Sequence, residues 1–355
     1  MIESIYHIST EDKPMRKYLL PEEGNFYKAN LHCHTTFSDG KKTPAEVKEI
    51  YQNLGYSIVA YTDHDILIPH DELTDDGFLA LHGFEMEINE PKTEGKLFTK
   101  TCHICFVGID PENLTQPMWH RSRYLFGNAV NHRDDVRFDE SQPDYERVYS
   151  PEGITEIMNK GREAGFFVTY NHPHWSREDF SNYNGYWGMH AFEIMNGSCN
   201  AAGFEDYNPR VYDDMLKNGK RLYCVGADDN HNVHFGTRRN DSGWGFTVIK
   251  AKDLEYKTIT SALLAGDFYA SEGPEIYELW YEDGFVHVKT SDADRININF
   301  MIRKGGTVLA PDAESVVNEA KFAIPDECGY FRITVVDKTG KHACTNAYFM
   351  DEILK

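Results

Sequence analysis

The stretch NLHCHTTFSDG, residues 30–40, places two histidines one residue apart and an aspartate five residues further on. In a β-strand, residues two positions apart point to the same face, so His32 and His34 would converge while Cys33 faces the packing layer. Two imidazoles on one side of a strand can bind one metal ion. A pair of hydrogen-bonded histidines at a strand end is the alternative, and this motif alone leaves both interpretations open.

Residues of the same types recur where later apolar runs end. They are Asp63, His64 and Asp65 after SIVAYT, Glu85 in LALHGFE, His103 in KTCHICF, His172 and His174 in VTYNHPH, and Asp228, Asp229 and His231 in YCVGADDNH. The carboxyl ends of strands in a parallel α/β sheet or barrel meet on one face, so these side chains are expected to share a pocket. Carboxylates buried together would repel one another beside desolvated imidazoles, and cations are the simplest way to neutralise such a pocket.

The elements that would position these residues alternate between strands and helices from about residue 27 to 250. Short apolar runs separated by helical patterns indicate crossover connections and a mainly parallel sheet, either open or closed into a barrel. The clearest helical pattern is TPAEVKEIYQNLG, in which Thr43 is the N-cap, Pro44 the first helical residue and Glu46 the partner in a capping box. Gly55 is expected to end this helix.

Two segments depart from this alternation. Residues 111–150 are polar, aromatic and long for a connection, which favours a functional lid or a loop with structure of its own. From residue 276, alternating runs with turns at DG, GG, CG and TG predict a small all-β domain, an immunoglobulin-like sandwich. The predicted units are therefore 1–275, the α/β part, and 276–355, the β part.

Composition narrows the class of function. The chain has 36 Lys and Arg against 57 Asp and Glu, a net charge of -21, which disfavours a nucleic-acid partner. No apolar stretch approaches the roughly 18 residues of a membrane-spanning helix, so no membrane association is expected. Seven scattered cysteines do not resemble a disulfide framework and favour a reducing, cytoplasmic environment.

In chain order, the motifs HCHTTFSDG, YTDHD, GFE, a histidine within a strand, NHP and GADDNH resemble those of the PHP (polymerase and histidinol phosphatase) superfamily, over roughly residues 27–235. The segments FTVIKA and GDFYASEGP, with the β tail, are similar to the CehA/McbA-like branch of phosphoesterases. The resemblance implies a distorted (β/α)7 PHP-type barrel, related to the TIM barrel, with two or three divalent ions, Zn, Mn or Fe. It also implies hydrolysis of a small phosphate ester.

Carried over residue by residue, the resemblance implies three groups of metal ligands. They are His32, His34, Glu85 and Asp228 for one ion, Glu85, His103 and His172 for a second, and Asp39, His64 and His231 for a third. The last motif departs from the commoner D-x-H pattern, because two aspartates precede Asn230. Its place after the glycine favours Asp228 as the ligand, whereas the two-residue spacing to His231 favours Asp229.

Other groups are candidates for catalysis or substrate binding. Asp63 and Asp65 flank His64 and could orient it or shuttle a proton, although aspartates also form turns at strand ends. Cationic groups in loops could bind phosphate or protonate the leaving group, with surface salt bridges as the alternative: His174, Arg177, Arg238 and Arg239. Aromatic candidates for the pocket mouth, which could equally serve core packing, are Trp119, Trp175, Trp187 and Trp244.

Three functions compete on these features. The first is a phosphoesterase acting on a small phosphorylated substrate, and the second a hydrolase of a carboxylic or carbamic ester or amide, because metal-activated water also attacks carbonyl carbons. The third is a non-catalytic binding module centred on the β tail. An accessory role beside a DNA polymerase is disfavoured by the net charge and by the lack of a polymerase region.

Overall fold

The structure is a computed structural model that describes residues 16–205 and 207–355. The strands are β1 (Lys17–Tyr18), β2 (Asn25–Asn30), β3 (Ile58–Tyr61), β4 (Leu79–Asn89), β5 (Thr101–Gly108), β6 (Phe166–Tyr170), β7 (Ala191–Asn196), β8 (Tyr223–Ala227), β9 (Phe246–Ala251), β10 (Phe268–Ser271), β11 (Ile276–Glu282), β12 (Phe285–Ala293), β13 (Arg295–Phe300), β14 (Gly305–Leu309), β15 (Val317–Ala323), β16 (Tyr330–Val336), β17 (His342–Thr345) and β18 (Tyr348–Phe349). The α-helices are α1 (Pro44–Asn53), α2 (Pro151–Glu163), α3 (Phe180–Tyr183), α4 (Gly197–Ala202), α5 (Pro209–Lys217), α6 (Tyr256–Ala265) and α7 (Met350–Ile353). No helix within these two ranges combines the length and the apolar character needed to cross a membrane.

Most strands belong to one large mixed sheet. Strands β2, β3 and β4 are parallel neighbours, as are β6, β7 and β8. Between these two groups, β5 runs antiparallel to both β4 and β6, because a hairpin rather than a helix joins it to β4. Beyond the ends of β2 and β8, Cys33 and Asn230 form a parallel bridge that brings the two outermost of these strands together.

Helix α1 begins at the predicted residue. The Thr43 hydroxyl accepts a hydrogen bond from the Glu46 amide at 3.3 Å, and the Glu46 carboxylate accepts one from the Thr43 amide at 2.9 Å, which completes the capping box. Pro44 occupies the first helical position, as its fixed φ and missing N–H favour. The helix thereby fixes the connection from β2 to β3 and directs Tyr51 to the Asp228 carboxylate, at 2.9 Å.

The insertion at 111–150 is mostly irregular chain with one 3₁₀ helix, Gly127–Asp135. It is anchored to the loops that follow β2 and β3. The Asn128 amide donates to the Ser38 carbonyl at 2.7 Å, and the Arg147 guanidinium donates to the Asp65 carboxylate at 2.5 Å. The insertion therefore packs beside the strand ends that carry the predicted ligands.

A second, separate sheet is antiparallel and has the strand order β1-β11-β12-β15. The remaining C-terminal strands join the large sheet, in which β17 pairs with β10. The coarse expectation of an α/β protein with a large sheet that contains parallel strands, plus a separate antiparallel sheet, is confirmed. The boundary between residues 275 and 276 stays a prediction, and the start of the first predicted unit, residues 1–15, lies outside the described residues.

One apolar cluster joins the two sheets. It includes Val59 on β3, Val286 on β12 and Ile333 on β16, all of them fully buried. Cys33 belongs to the same cluster, as expected for the residue between two histidines that face the other way. All seven cysteines are free and buried.

Candidate metal centre

Side chains from four strands, or from the loops that follow them, converge on the carboxylate of Glu85, which is fully buried on β4. The ring nitrogens that lie 3.1 to 3.3 Å from its two oxygens belong to His32, His34, His64, His103 and His172. His103 reaches this place from the start of β5, because β5 runs antiparallel and begins at the edge where the parallel strands end. The convergence predicted for these strand ends is therefore present in the geometry.

The donor atoms at this place are spaced as ligands of a cation. Nε2 of His32 and Nε2 of His34 are 3.1 Å apart, and Oδ1 of Asp229 lies 3.2 and 3.0 Å from them. Donors at about 2.1 Å from a tetrahedral ion are about 3.4 Å apart, so this spacing fits a divalent ion. Buried atoms without a partner in hydrogen-bond geometry, among those described, include His34 Nδ1, His64 Nδ1, Glu85 Oε2 and His103 Nε2.

The candidate ligands form four overlapping groups, in each of which the donor atoms lie within 4.8 Å of one another. The groups are His32, His34, Glu85 and Asp229; His34, Asp39, His64 and His231; His64, Glu85 and His103; and His32, His172 and Glu193. Most of these residues also line a cavity of about 460 Å³. A substrate in this cavity would therefore have direct access to the candidate metal centre.

The charges in the cluster conflict with one another in the absence of cations. Burial lowers the pKa of His32, but the surrounding carboxylates, Asp229 first among them, outweigh it and hold the pKa well above its usual value. His64 has a pKa well below its usual value, because it is buried and lies beside the charge of His34. Burial raises the pKa of Asp229, but the histidines around it reverse this and hold the carboxyl ionised. Divalent cations would relieve this competition for protons.

The two aspartates that follow β8 make different contacts. The Asp228 carboxylate accepts hydrogen bonds, at 2.6 to 2.9 Å, from the backbone amides of Gly243, Trp244 and Gly245 and from the Tyr51 hydroxyl. Burial raises its pKa to about 6, although these hydrogen bonds act to lower it. Asp229, which follows with a φ of +52°, directs its carboxylate to His32 and His34 instead.

Asp63 and Asp65, predicted as catalytic groups, are absent from the described lining of the cavity. Asp63 accepts hydrogen bonds from the Thr35 amide and hydroxyl, at 2.8 and 2.7 Å, and from the Ser38 hydroxyl at 2.6 Å. Burial raises the pKa of Asp65 to about 6, although its carboxylate pairs with Arg147. The contacts of both residues hold loops in place, Asp63 at the turn after β2 and Asp65 at the insertion.

The loop candidates divide in the same way. Arg239 and Trp175 line the cavity. His174 lies outside it, and its Nδ1 accepts a hydrogen bond from the Glu205 amide at 2.9 Å. The other candidates absent from the described lining are Arg177, Arg238, Trp119, Trp187 and Trp244.

Glu193 and Asn196, both on β7, are site residues that the sequence reasoning missed. Glu193 Oε1 lies 2.9 Å from Nδ1 of His32, while its Oε2 accepts hydrogen bonds from the His172 amide at 3.2 Å and the Asn196 side chain at 2.8 Å. The Asn196 side-chain nitrogen also lies 3.3 Å from Oδ2 of Asp229. The available signal was a glutamate in the otherwise apolar run AFEIM, because a buried carboxylate requires polar partners.

Replacing Glu193 with glutamine is expected to weaken metal binding about 10- to 100-fold while the fold is retained. With a metal ion bound at Nε2 of His32, the carboxylate would accept the Nδ1 proton and keep Nε2 directed at the cluster. A neutral amide is a weaker acceptor and holds this tautomer less firmly. Competition with a chelating dye measures the affinity, and Glu152→Gln on the exposed start of α2 is the control. A Glu193→Gln affinity within twofold of the unaltered protein would contradict the role.

No protein-family model and no curated protein matches the chain. Among solved structures, it is similar to a two-domain protein of Bacteroides vulgatus that contains a predicted PHP-like metal-dependent phosphoesterase, with 16% identity, 94% of this chain and 98% of that chain covered, and a TM-score of 0.42. A second similar structure is a protein of Bifidobacterium adolescentis that is described, by inference, as a metal-dependent phosphoesterase. The two sequences are 19% identical, the match covers 62% of this chain and 93% of that chain, and the TM-score is 0.37. A third is an amidohydrolase of Chromobacterium violaceum with bound sulfate and no metal. The two sequences are 19% identical, the match covers 57% of this chain and 87% of that chain, and the TM-score is 0.31. The chain is thus similar, at low identity and low TM-score, to proteins described as metal-dependent phosphoesterases and to an amidohydrolase.

Proposed function

We propose that this protein is a metal-dependent phosphoesterase that hydrolyses a small phosphate ester. The observation that supports the proposal most directly is the set of five histidine ring nitrogens around the Glu85 carboxylate, with Asp229 beside them and several buried donor atoms without a hydrogen-bond partner. Such a donor set is costly to bury unless cations complete it.

Three ion sites account for the candidate ligands. We assign His32, His34, Glu85 and Asp229 to one ion, Glu85, His103 and His172 to a second, and Asp39, His64 and His231 to a third. The sets combine imidazole nitrogens with carboxylate oxygens and contain no thiolate, which suits zinc, manganese or iron. In this assignment Asp229 replaces Asp228, which the resemblance favoured as the ligand.

The reaction would combine the bound ions with positioning by the chain. Divalent ions at such a site lower the pKa of a bound water from about 15.7 toward about 7 and neutralise the phosphoryl oxygens. Glu193 holds the tautomer of His32, and Asp63 holds the turn that carries Asp39. Arg239 lines the same cavity, is exposed, and its side chain has no ion pair or hydrogen bond with a described residue. Its guanidinium would attract an anionic substrate to a protein of net charge -21.

The finer description of the fold belongs to the same proposal. The bridge between Cys33 and Asn230 supports closure of β2 to β8 into a (β/α)7 PHP-type barrel. The turns and antiparallel pairing after residue 276 support an immunoglobulin-like C-terminal unit. Membership in the CehA/McbA-like branch is part of this proposal and rests on the sequence motifs.

The proposal is tested with metal-loaded protein and matched p-nitrophenyl substrates. We expect hydrolysis of the phosphate monoester or of the bis(p-nitrophenyl) diester, loss of this activity on chelation, and its return with zinc, manganese or iron. The acetate, carbamate and anilide of the same chromophore test the carbonyl alternative. Metal-loaded protein that is inert toward the phosphates would exclude the proposed function, and turnover of a carbonyl substrate alone would replace it.

Two neighbouring arginines provide a matched pair for the same assay. Arg239→Ala is expected to lower kcat/KM for the phosphate substrate about five- to tenfold, because one exposed charged hydrogen bond contributes on the order of 1 kcal/mol. Arg238→Ala removes the same charge from the next residue, which lies outside the described lining, and is expected to change kcat/KM less than twofold. Equal effects of the two substitutions would indicate a general charge effect instead of a contact in the cavity.

A further inference from the structure

Two aromatic side chains stand beside histidines of the candidate metal centre. The Trp175 ring is edge-on to His103, at 5.2 Å between centroids, and to His172, at 5.3 Å. The Phe126 ring is tilted over His64 at 4.6 Å. His64 and His103 are themselves 5.5 Å apart, so the two aromatic rings border different ends of this histidine pair. Both rings line the cavity.

Trp175 is exposed on a segment that is held in place. Its side chain is 42% exposed, and its indole N–H has no hydrogen bond to a described residue. The next residue, Ser176, donates its amide to the His172 carbonyl at 3.2 Å and accepts from the Thr101 amide at 3.1 Å. Two residues further on, the Glu178 carboxylate accepts hydrogen bonds from three tyrosine hydroxyls. The backbone on both sides of the ring is therefore held in place, which lowers the cost of ordering this segment on binding.

Phe126 is fixed by the insertion that carries it. Gly127 has a φ of +56°, and a Cβ atom at this residue would lie 2.8 Å from the Ser38 carbonyl oxygen, so glycine permits the close approach. The Asn128 amide donates to the same carbonyl at 2.7 Å, and its side chain donates to the Thr36 carbonyl at 2.9 Å. The insertion thus holds an aromatic ring against the metal centre as a preformed wall.

From these contacts we propose that the leaving group of the substrate is a planar aromatic alcohol, whose ring packs on Trp175 and is confined by Phe126. Apolar side chains elsewhere in the cavity lining are Ala201, Ala202 and Val233, which offer no hydrogen bonds to a polyol such as a sugar. A cavity of about 460 Å³ has the size of ordinary small-molecule sites. The inference rests on the proposed phosphoesterase function and names the class of ester.

Three non-hydrolysable probes test the inference by isothermal titration calorimetry of the metal-loaded protein. Phenylphosphonate, cyclohexylphosphonate and methylphosphonate share the anionic group and differ in the planarity and size of the substituent. We expect phenylphosphonate to bind about tenfold more tightly than methylphosphonate, as one stacked ring contributes in other sites, with cyclohexylphosphonate in between.

Variants assign the effect to the ring. The measured quantity is the Kd of methylphosphonate divided by the Kd of phenylphosphonate. Trp175→Ala is expected to reduce this ratio to about two, and Trp175→Phe is expected to retain most of the tenfold preference. Trp187 is 45% exposed and outside the described cavity lining, so Trp187→Ala is expected to preserve the ratio.

The outcomes separate this inference from the function on which it rests. Equal binding of the phenyl and methyl probes, or a ratio unchanged by Trp175→Ala, would overturn the aromatic leaving group while phosphate-ester turnover stands. Cyclohexylphosphonate that binds as tightly as phenylphosphonate would overturn it in favour of any apolar group. If no phosphonate binds and no phosphate ester is hydrolysed, the proposed function itself fails, and the inference fails with it.

Discussion

Replacing Glu85 with glutamine is expected to remove most of the bound metal and to lower the hydrolytic rate by roughly 10³-fold or more. The carboxylate lies 3.1 to 3.3 Å from five histidine ring nitrogens and is shared by two of the assigned ion sites. An amide carries no charge and has one acceptor oxygen, so it cannot serve both sites. Loss of several kcal/mol of charge stabilisation in the transition state corresponds to this factor.

Elemental analysis and steady-state kinetics on the same preparation measure the effect. Glu178→Gln is the matched control, because Glu178 is also buried but lies outside the cluster, where its carboxylate accepts hydrogen bonds from tyrosines. It is expected to leave the metal content unchanged. An undiminished metal content in the Glu85→Gln protein would show that Glu85 is not a bridging ligand of the ions.

The coarse fold and most of the candidate ligands are predictable because each rests on a local rule. The capping box of Thr43 and Glu46 is complete within four residues, and α1 starts there. His32 and His34 share a face because of the two-residue period of extended chain, and their Nε2 atoms are 3.1 Å apart. Local patterns of this kind survive folding because tertiary contacts do not need to override them.

The direction of β5 is not predictable by the same means. The apolar run CHICFVGI carries no information on strand direction, and the polar segment before it can serve as a hairpin or as part of a crossover. In the structure it is a hairpin, so His103 contributes from the beginning of its strand instead of the end. Glu193 escapes prediction for a related reason, since its role depends on His32, which is 161 residues away in the chain.

The choice between Asp228 and Asp229 depends on tertiary contacts as well. The three amides that donate hydrogen bonds to the Asp228 carboxylate come from residues 243–245. No local sequence pattern predicts that this turn lies beside β8. The spacing within the motif is compatible with either aspartate as the ligand. The distant turn favours Asp229, because its amides already donate hydrogen bonds to the Asp228 carboxylate. The insertion at 111–150 is similar, because its contacts with the loops after β2 and β3 are made between residues far apart in sequence.

Exchanging each of these two aspartates for asparagine is expected to give opposite results. Asp229→Asn should release the ion held with His32 and His34 and lower activity at least about 100-fold, because it removes a charged ligand from the cluster. Asp228→Asn should keep the metal but destabilise the fold by about 1 to 3 kcal/mol. Its carboxylate oxygens accept five hydrogen bonds, and an amide NH2 in place of one oxygen would face two or three of these donors.

Elemental analysis and urea unfolding of both variants, each measured with and without chelator, separate the two effects. The unfolding free energy in chelator isolates the contribution of the Gly243–Gly245 turn, because no metal is then bound to stabilise the native state. Under these conditions both variants are expected to be less stable than the unaltered protein, because Asp229→Asn takes a buried charge away from the histidines that hold it ionised. The metal content therefore separates the two variants. If Asp228→Asn instead loses metal and Asp229→Asn retains it, the ligand is Asp228. The chain after β8 would then have to direct Asp228, and not Asp229, toward the histidines.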